Sequence, residues 1–121
     1  MAQFTVKETE YNDLKLTYKG IKYLNTIAGG AFEVVAKSMQ GDVDLFPHII
    51  YAALMGQESK ISLRDVEAAI EDALENEKLD LLDVLRLSNE LVTESFFYKA
   101  TVTKLLADQK EAQKALKALL N

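Results

Sequence analysis

Apolar and polar side chains alternate along the first eighteen residues of the chain. Phe4 and Val6 share one face of an extended segment, and the apolar residues of 14–18 share a face of a second one. The polar stretch 9–13, which contains asparagine and aspartate, separates them. This pattern predicts a β-hairpin over residues 1–18. An isolated hairpin is marginal in water, so we expect it to lie on helices or to pair with another copy.

From Lys19 onward the apolar residues recur at helical spacing, and glycines punctuate the pattern. The first predicted helix stops at Gly29-Gly30, and the second, over residues 31–40, stops at Gly41. Asp44 is the expected cap of a third helix that ends at Gly56. That helix is apolar nearly all round, which predicts a central position in the core.

Two further helices follow in the acidic middle of the chain. Ser62 and Asp65 have the spacing of a capping box, which predicts a helix start there. The segment LDLLDVLRLSNELV, residues 79–92, predicts another, largely buried helix.

The last segment, residues 95–121, predicts a lysine-rich amphipathic helix with a heptad seam. The seam comprises Val102, Leu105, Gln109, Ala112, Leu116 and Leu119, with Leu106 and Leu120 beside it. Two explanations are open. The seam packs on the domain's own core, or it receives a helix of a partner.

These elements predict a mainly α fold, in which residues 1–121 form a single compact multi-helix domain with a short N-terminal β-hairpin. Residues 19–94 are the expected helical core. The apolar fraction of 49% supports a folded core, and the absence of cysteine fits a reducing compartment. We expect no signal peptide and no membrane-spanning segment.

Charge is distributed unevenly along the chain. Residues 62–94 carry three basic and ten acidic side chains, whereas residues 95–121 carry five lysines and two acids. The ordinary explanation of this uneven distribution is that the charged side chains lie on helix faces exposed to solvent. The alternative is head-to-tail contact, in which the tail of one copy meets the middle of the next.

No residue pattern indicates catalysis, and we expect neither a metal nor another cofactor. The one histidine, His48, lacks a second histidine or cysteine, and the Asp42–Asp44 pair is short of the oxygen ligands that a cation loop needs. Gly29-Gly30 follows a helix and lacks the phosphate-binding spacing. The carboxylates of residues 65–83 fall on predicted solvent faces, and a helix this acidic would be repelled by nucleic acid.

Three aromatic side chains stand next to one another at Phe96, Phe97 and Tyr98. Adjacent positions on a helix differ by about 100° in direction, so the three rings cannot all face one core. At least one ring is expected to be exposed or partner-bound, which favours a protein-binding module over an enzyme.

Four segments follow one another along the chain, namely LKLTYKGIKYLNTI, HIIYAALMGQ, ISLRDVEAAIEDAL and SFFYKATVTKL. In this order they resemble the tail assembly chaperones of siphophages that infect Gram-positive bacteria, and the resemblance covers nearly the whole chain. The resemblance implies a non-enzymatic protein of the host cytoplasm that is absent from the mature virion. It implies binding to the apolar, helical tape measure protein until tail tube protein polymerises around it, and self-association into a homo-oligomer.

We therefore expect the tape measure protein as the partner, with the tail tube protein as a second one, and neither nucleic acid nor membrane. A small helical adaptor or regulatory subunit is the alternative function, and a DNA-binding phage regulator is a further one. The expected partner-binding residues are Phe96, Phe97, Tyr98, Val102, Leu105, Leu106, Leu116, Leu119 and Leu120.

Overall fold

The computed structural model describes residues 2–57 and 60–120, except for the side chains of residues 112, 113, 116, 117 and 120. The fold is mainly α with a short N-terminal β-hairpin, as predicted. Two strands, β1 (Ala2–Val6) and β2 (Thr9–Leu14), precede the helices. The α-helices are α1 (Tyr18–Ala28), α2 (Ala31–Gln40), α3 (Phe46–Leu54), α4 (Leu63–Glu75), α5 (Leu81–Ser88) and α6 (Lys99–Leu120). A five-residue π-helix, Asn89–Thr93, continues directly from α5.

The hairpin turns earlier than its sequence predicts. Lys7 and Glu8 both adopt left-handed backbone angles, with φ of 51° and 67°, and form the two-residue turn. Residues 9–13, the predicted connection, belong instead to β2. The error has a physical cause, because a turn of this kind usually draws on asparagine and glycine, and the chain uses lysine and glutamate. Asp13, also left-handed, lies where the register between the strands shifts.

The hairpin lies on the helices through its inner face. Phe4 and Val6 are buried, and the ring of Phe4 meets the ring of Phe46 edge-on at 6.4 Å between centroids. Lys7 also forms an ion pair with Asp65 of α4, with 3.2 Å between nitrogen and oxygen. Of the two arrangements expected for the hairpin, the structure shows the packing on helices.

Helix α3 occupies the centre of the fold, as its apolar sequence predicts. Its buried side chains are Phe46, Ile49, Ile50, Ala52, Ala53 and Leu54. α1, α4, α5 and the π-helix all contact it. α1 comes so close that a Cβ at Gly20 would lie 2.5 Å from the carbonyl oxygen of Ala52. Only glycine permits this approach.

Most helix boundaries follow local signals. α1 and α2 end at left-handed Gly29 and Gly41, and the box formed by Ser62 and Asp65 starts α4. For α3 the capping prediction was wrong, because the residue at the N-cap is Leu45 and no side chain caps the helix. Asp42 instead accepts a hydrogen bond from the backbone N–H of Leu45, at 2.9 Å, in the turn before α3. The predicted cap, Asp44, lies in the turn beside it.

A second capping box, which the sequence reasoning missed, starts α5. Asp80 accepts from the backbone N–H of Asp83 at 2.9 Å, and Asp83 accepts from that of Asp80 at 3.0 Å. The hydrogen bond that the backbone N–H of Asp80 donates to its carboxylate holds the pKa of Asp83 below its usual value. In the described part of the chain, no helix is both long and apolar enough to cross a bilayer.

Candidate interaction surface

The three adjacent aromatic residues lie in a turn between the π-helix and α6, and not on a helix as the sequence predicts. Each points in a different direction. Phe96 is 92% exposed and Phe97 is about half exposed, whereas Tyr98 is completely buried. The expectation that at least one ring would be exposed is met by two of them. In this conformation Tyr98 faces the interior and is not available to a partner.

Tyr98 fixes the position of this turn against α1. Its hydroxyl donates a 2.8 Å hydrogen bond to Oδ1 of Asn25, and burial raises the pKa of that hydroxyl to about 12. The ring of Phe97 stacks edge-on against the ring of Tyr98, with 5.0 Å between centroids and an interplanar angle of 88°. The buried tyrosine therefore positions the exposed phenylalanine.

A groove of about 400 Å³ lies between Phe97 and α1. We call it the α1 groove. Tyr18 and Ile21 supply apolar walls, and Asn25 and Thr26 supply polar groups. Tyr18 is 79% exposed and Phe97 is about half exposed, so two accessible aromatic rings line the groove. Ligand sites of this size combine apolar walls with a few polar groups, which is the composition found here.

Helix α6 carries the predicted seam, and its two ends lie in different surroundings. Val102 is partly buried against the core, and Leu105 belongs to the core. Beyond Leu105 every described side chain of α6 is exposed. Leu106 is 48% exposed and Leu119 is 84% exposed. The start of the seam thus packs within the chain. The predicted contacts of Leu116 and Leu120 lie outside the described side chains.

The unpacked part of α6 is long. At a rise of about 1.5 Å per residue, the fourteen residues after Leu106 extend roughly 21 Å. Exposed lysines line it, namely Lys110 and Lys114. An apolar residue such as Leu119 on an unpacked helix is a candidate for contact with another molecule.

His48 and Asp42, the polar residues considered for catalysis and for cation binding, contact other groups of the chain. Nδ1 of His48 lies 2.6 Å from the hydroxyl of Tyr23, whose ring also packs edge-on against Tyr51. Burial, with smaller contributions from Tyr51 and Glu67, raises the pKa of Tyr23. Asp42 accepts the hydrogen bond from the backbone N–H of Leu45 in the turn before α3. Over residues 2–57 and 60–120, no group of three or more histidine, aspartate or glutamate side chains is arranged to hold a metal ion.

Sequence reasoning missed the contribution of α1 to the exposed apolar surface. It assigned Tyr18 to a strand, whereas Tyr18 begins α1 and lines the α1 groove. Ile21 is three residues further along the same helix, so helical spacing places both on one side. That spacing was the available signal. Their meeting with Phe97 depends on tertiary packing and has no sequence signature.

The family model for the phage tail assembly chaperone protein, TAC, matches residues 2–106. The chain belongs to the phage tail assembly chaperone family. The match extends from the hairpin into the first turns of α6, and its end falls next to Leu105, the last described residue of the core. Searches of curated proteins and of solved structures found no match.

Membership of this family makes the chain a factor in phage tail assembly that interacts with tail proteins. It bears out the resemblance drawn from the order of elements.

Proposed function

We propose that this tail assembly chaperone binds and shields the tape measure protein in the host cytoplasm until the tail tube forms around it. The proposed role is non-enzymatic, and the protein is absent from the mature virion. Family membership supports assembly as the process. The resemblance described above supplies the tape measure protein as partner, and the tail tube protein as the second partner that displaces the chaperone.

The exposed aromatic pair is the observation that carries this proposal. Phe96 projects into solvent, and Phe97 lines the α1 groove together with Tyr18. Exposing such rings opposes folding stability and solubility, so they are typical of interfaces. An amphipathic helix that inserts one apolar side chain into the α1 groove would contact Phe97 and Tyr18, and Phe96 precedes Phe97 in the same turn.

One chaperone copy offers few contacts to the tape measure protein, which suits binding that is later reversed. Eight residues line the α1 groove, fewer than the roughly 20–30 residues that each partner contributes to a stable protein interface. Many copies along one helical partner would hold together through multivalency, while each copy can be displaced singly. Leu106 and Leu119 on the unpacked part of α6 offer additional contacts, with Val102 at their base.

Co-expression with the tape measure protein tests the proposal. We expect the wild-type chaperone to keep the tape measure protein soluble, and Phe96→Ser with Phe97→Ser to lose most of that effect. Leu82→Ser is the matched control, because Leu82 is an apolar residue on α5, outside the α1 groove, whose exposure of 73% lies between those of Phe96 and Phe97. All variants are checked for unchanged thermal unfolding. Precipitation of the tape measure protein with the wild-type chaperone would overturn the proposal.

We further propose that the chaperone self-associates, with the basic end of α6 on the acidic face of α4 in the next copy. Lys110 and Lys114 are exposed on α6, and Glu67, Glu71 and Glu75 are exposed on α4. A head-to-tail contact of this kind gives rings or open chains.

Sedimentation velocity at low and high salt tests self-association. We expect the wild-type assembly to shrink at high salt, because exposed charges are screened. Lys110→Glu with Lys114→Glu should give a monomer at low salt, and adding Glu71→Lys with Glu75→Lys should restore the assembly. A wild-type protein that stays monomeric at low salt contradicts the proposed contact.

A further inference from the structure

A second cavity, of about 610 Å³, lies beside the hairpin and between β1, α4 and α5. We call it the hairpin groove. Three consecutive residues of β1 line it, Gln3, Phe4 and Thr5. Consecutive residues of a strand point to opposite faces, so a cavity that touches all three lies along the edge of the strand. Since β2 pairs with the other edge, the hairpin groove is the space beside the free edge of β1.

The geometry of the hairpin determines which backbone groups face this space. The left-handed angles of both turn residues define a type I′ turn, in which Val6 and Thr9 exchange two backbone hydrogen bonds. The next pair, Thr5 and Glu10, is therefore a non-hydrogen-bonded pair. The N–H and C=O of Thr5 point away from β2, toward the hairpin groove. Within residues 2–57 and 60–120, no helix or loop backbone forms a hydrogen bond with Thr5.

Such an edge is a template for another strand, which would satisfy both groups of Thr5. The floor beside the edge is apolar. Ala69 and Ala73 of α4, with Leu79 and Leu87, contribute small and aliphatic surface. A strand laid here would place alternate side chains against this floor and the others toward the charged rim.

The rim has a net negative charge. Two ion pairs involve lining residues, Lys7 with Asp65 at 3.2 Å and Arg86 with Asp83 at 3.6 Å. The lining charges outside these pairs are Glu8, Glu10, Asp72 and Lys78. Three carboxylates against one ammonium favour basic side chains on the occupant.

We propose that the hairpin groove binds an extended segment of a partner protein, with alternating apolar and basic residues, as a third strand on β1. The main-chain groups of Thr5 supply sequence-independent hydrogen bonds, and the acidic rim selects lysine or arginine. This site shares no lining residue with the α1 groove, and the proposal does not depend on tape measure binding.

A capped heptapeptide of alternating valine and lysine is the probe, titrated into the full chain and followed by NMR. We expect the amide of Thr5 to shift and to become protected from hydrogen exchange. Thr5→Pro removes the outward N–H without removing a β1–β2 hydrogen bond, so it should weaken binding about tenfold or more. Thr5→Val keeps that N–H and should bind within about twofold of wild type.

Two further peptides keep the test decisive if Thr5→Pro disturbs the hairpin. A version with methylated backbone nitrogens cannot pair with an edge, and a glutamate version reverses the charge. Equal binding of the methylated peptide overturns strand addition, and equal binding of the glutamate peptide overturns the basic preference. Protection of Thr5 without any peptide, with dimers in solution, would show that a second copy occupies the edge and would overturn the partner assignment.

Discussion

The hydroxyl of Tyr98 donates to the side-chain carbonyl of Asn25 across 73 residues of sequence, at 2.8 Å. This hydrogen bond joins the turn before α6 to the middle of α1. It is formed by a tyrosine whose side chain is completely buried. The position of Phe97 and the start of α6 both depend on it.

Tyr98→Phe removes this hydrogen bond and leaves the ring in place. Because Asn25 loses its donor in a partly buried site, we expect the free energy of unfolding to fall by about 1–2 kcal/mol. Urea denaturation with an unchanged m-value measures the change. Tyr18→Phe is the control, since Tyr18 is exposed and its hydroxyl bonds to no other described residue. An equal effect of both changes would contradict the anchoring role of Tyr98.

The raised pKa of Tyr98 predicts that the stability of the fold falls at high pH. Its pKa is raised to about 12 from an ordinary value of 10.0 because burial disfavours the phenolate. A raised pKa means that the stabilising contribution is full below pH 10 and is lost as the pH rises toward 12. The pKa of Tyr23 is raised as well, so tyrosinate absorbance should show two late-titrating groups in the wild type. Tyr98→Phe should lack one of them. Ionisation of all five tyrosines near pH 10 in the folded chain would contradict burial.

The lowered pKa of Asp65 predicts that the stability of the fold falls at low pH. Its pKa lies below the ordinary 3.8, first because the backbone N–H of Ser62 donates to its carboxylate and second because Lys7 is paired with it. A lowered pKa gives stability that is present above pH 3.8 and is lost as the pH falls below that value.

Asp65→Asn should therefore lower the free energy of unfolding at neutral pH. It should also make that free energy depend less on pH below pH 4. Chemical denaturation at a series of pH values measures both effects. Asp108→Asn, on the exposed part of α6, is the matched control. A profile for Asp65→Asn that runs parallel to the wild type would show that the capping box contributes nothing to acid stability.

The two ends of the α6 seam should respond differently to the same change. Leu105→Asp places a carboxylate in the core, and we expect a loss of about 3 kcal/mol or more in unfolding free energy. Leu119→Asp is on the unpacked end and should change stability by less than about 0.5 kcal/mol. Its effect should appear instead in reduced retention of the tape measure protein. A large loss of stability for Leu119→Asp would show that the end of α6 packs on the chain.

Local signals allowed much of this fold to be predicted. Glycine at the end of an apolar run located the ends of α1 and α2, and the spacing of Ser62 and Asp65 located the start of α4. Each of these signals is formed by residues within one helical turn of each other. They can therefore be recognised in the sequence without the tertiary structure. The turn at Lys7-Glu8 carries no such signal, because its backbone angles are imposed by strand pairing.

The interaction surface could be predicted only in part. The crowding of three rings at residues 96–98 showed that some ring must be exposed, but not which one. Tyr98 is buried because Asn25 and α1 are present beside it, and that contact joins distant parts of the sequence. The same limit applies to Leu105, which the heptad spacing placed in one seam with exposed Leu119.

Among the described side chains of α6, the core residues Val102 and Leu105 lie at its base, so the helix is held from one end. A slight rotation about Tyr98 and Val102 is magnified into a much larger displacement at Leu119. Conversely, a load that pulls on the tip is transmitted to the base, where it acts on the turn that carries Phe96 and Phe97. A partner bound at Leu119 would therefore act on the same turn that carries Phe96 and Phe97.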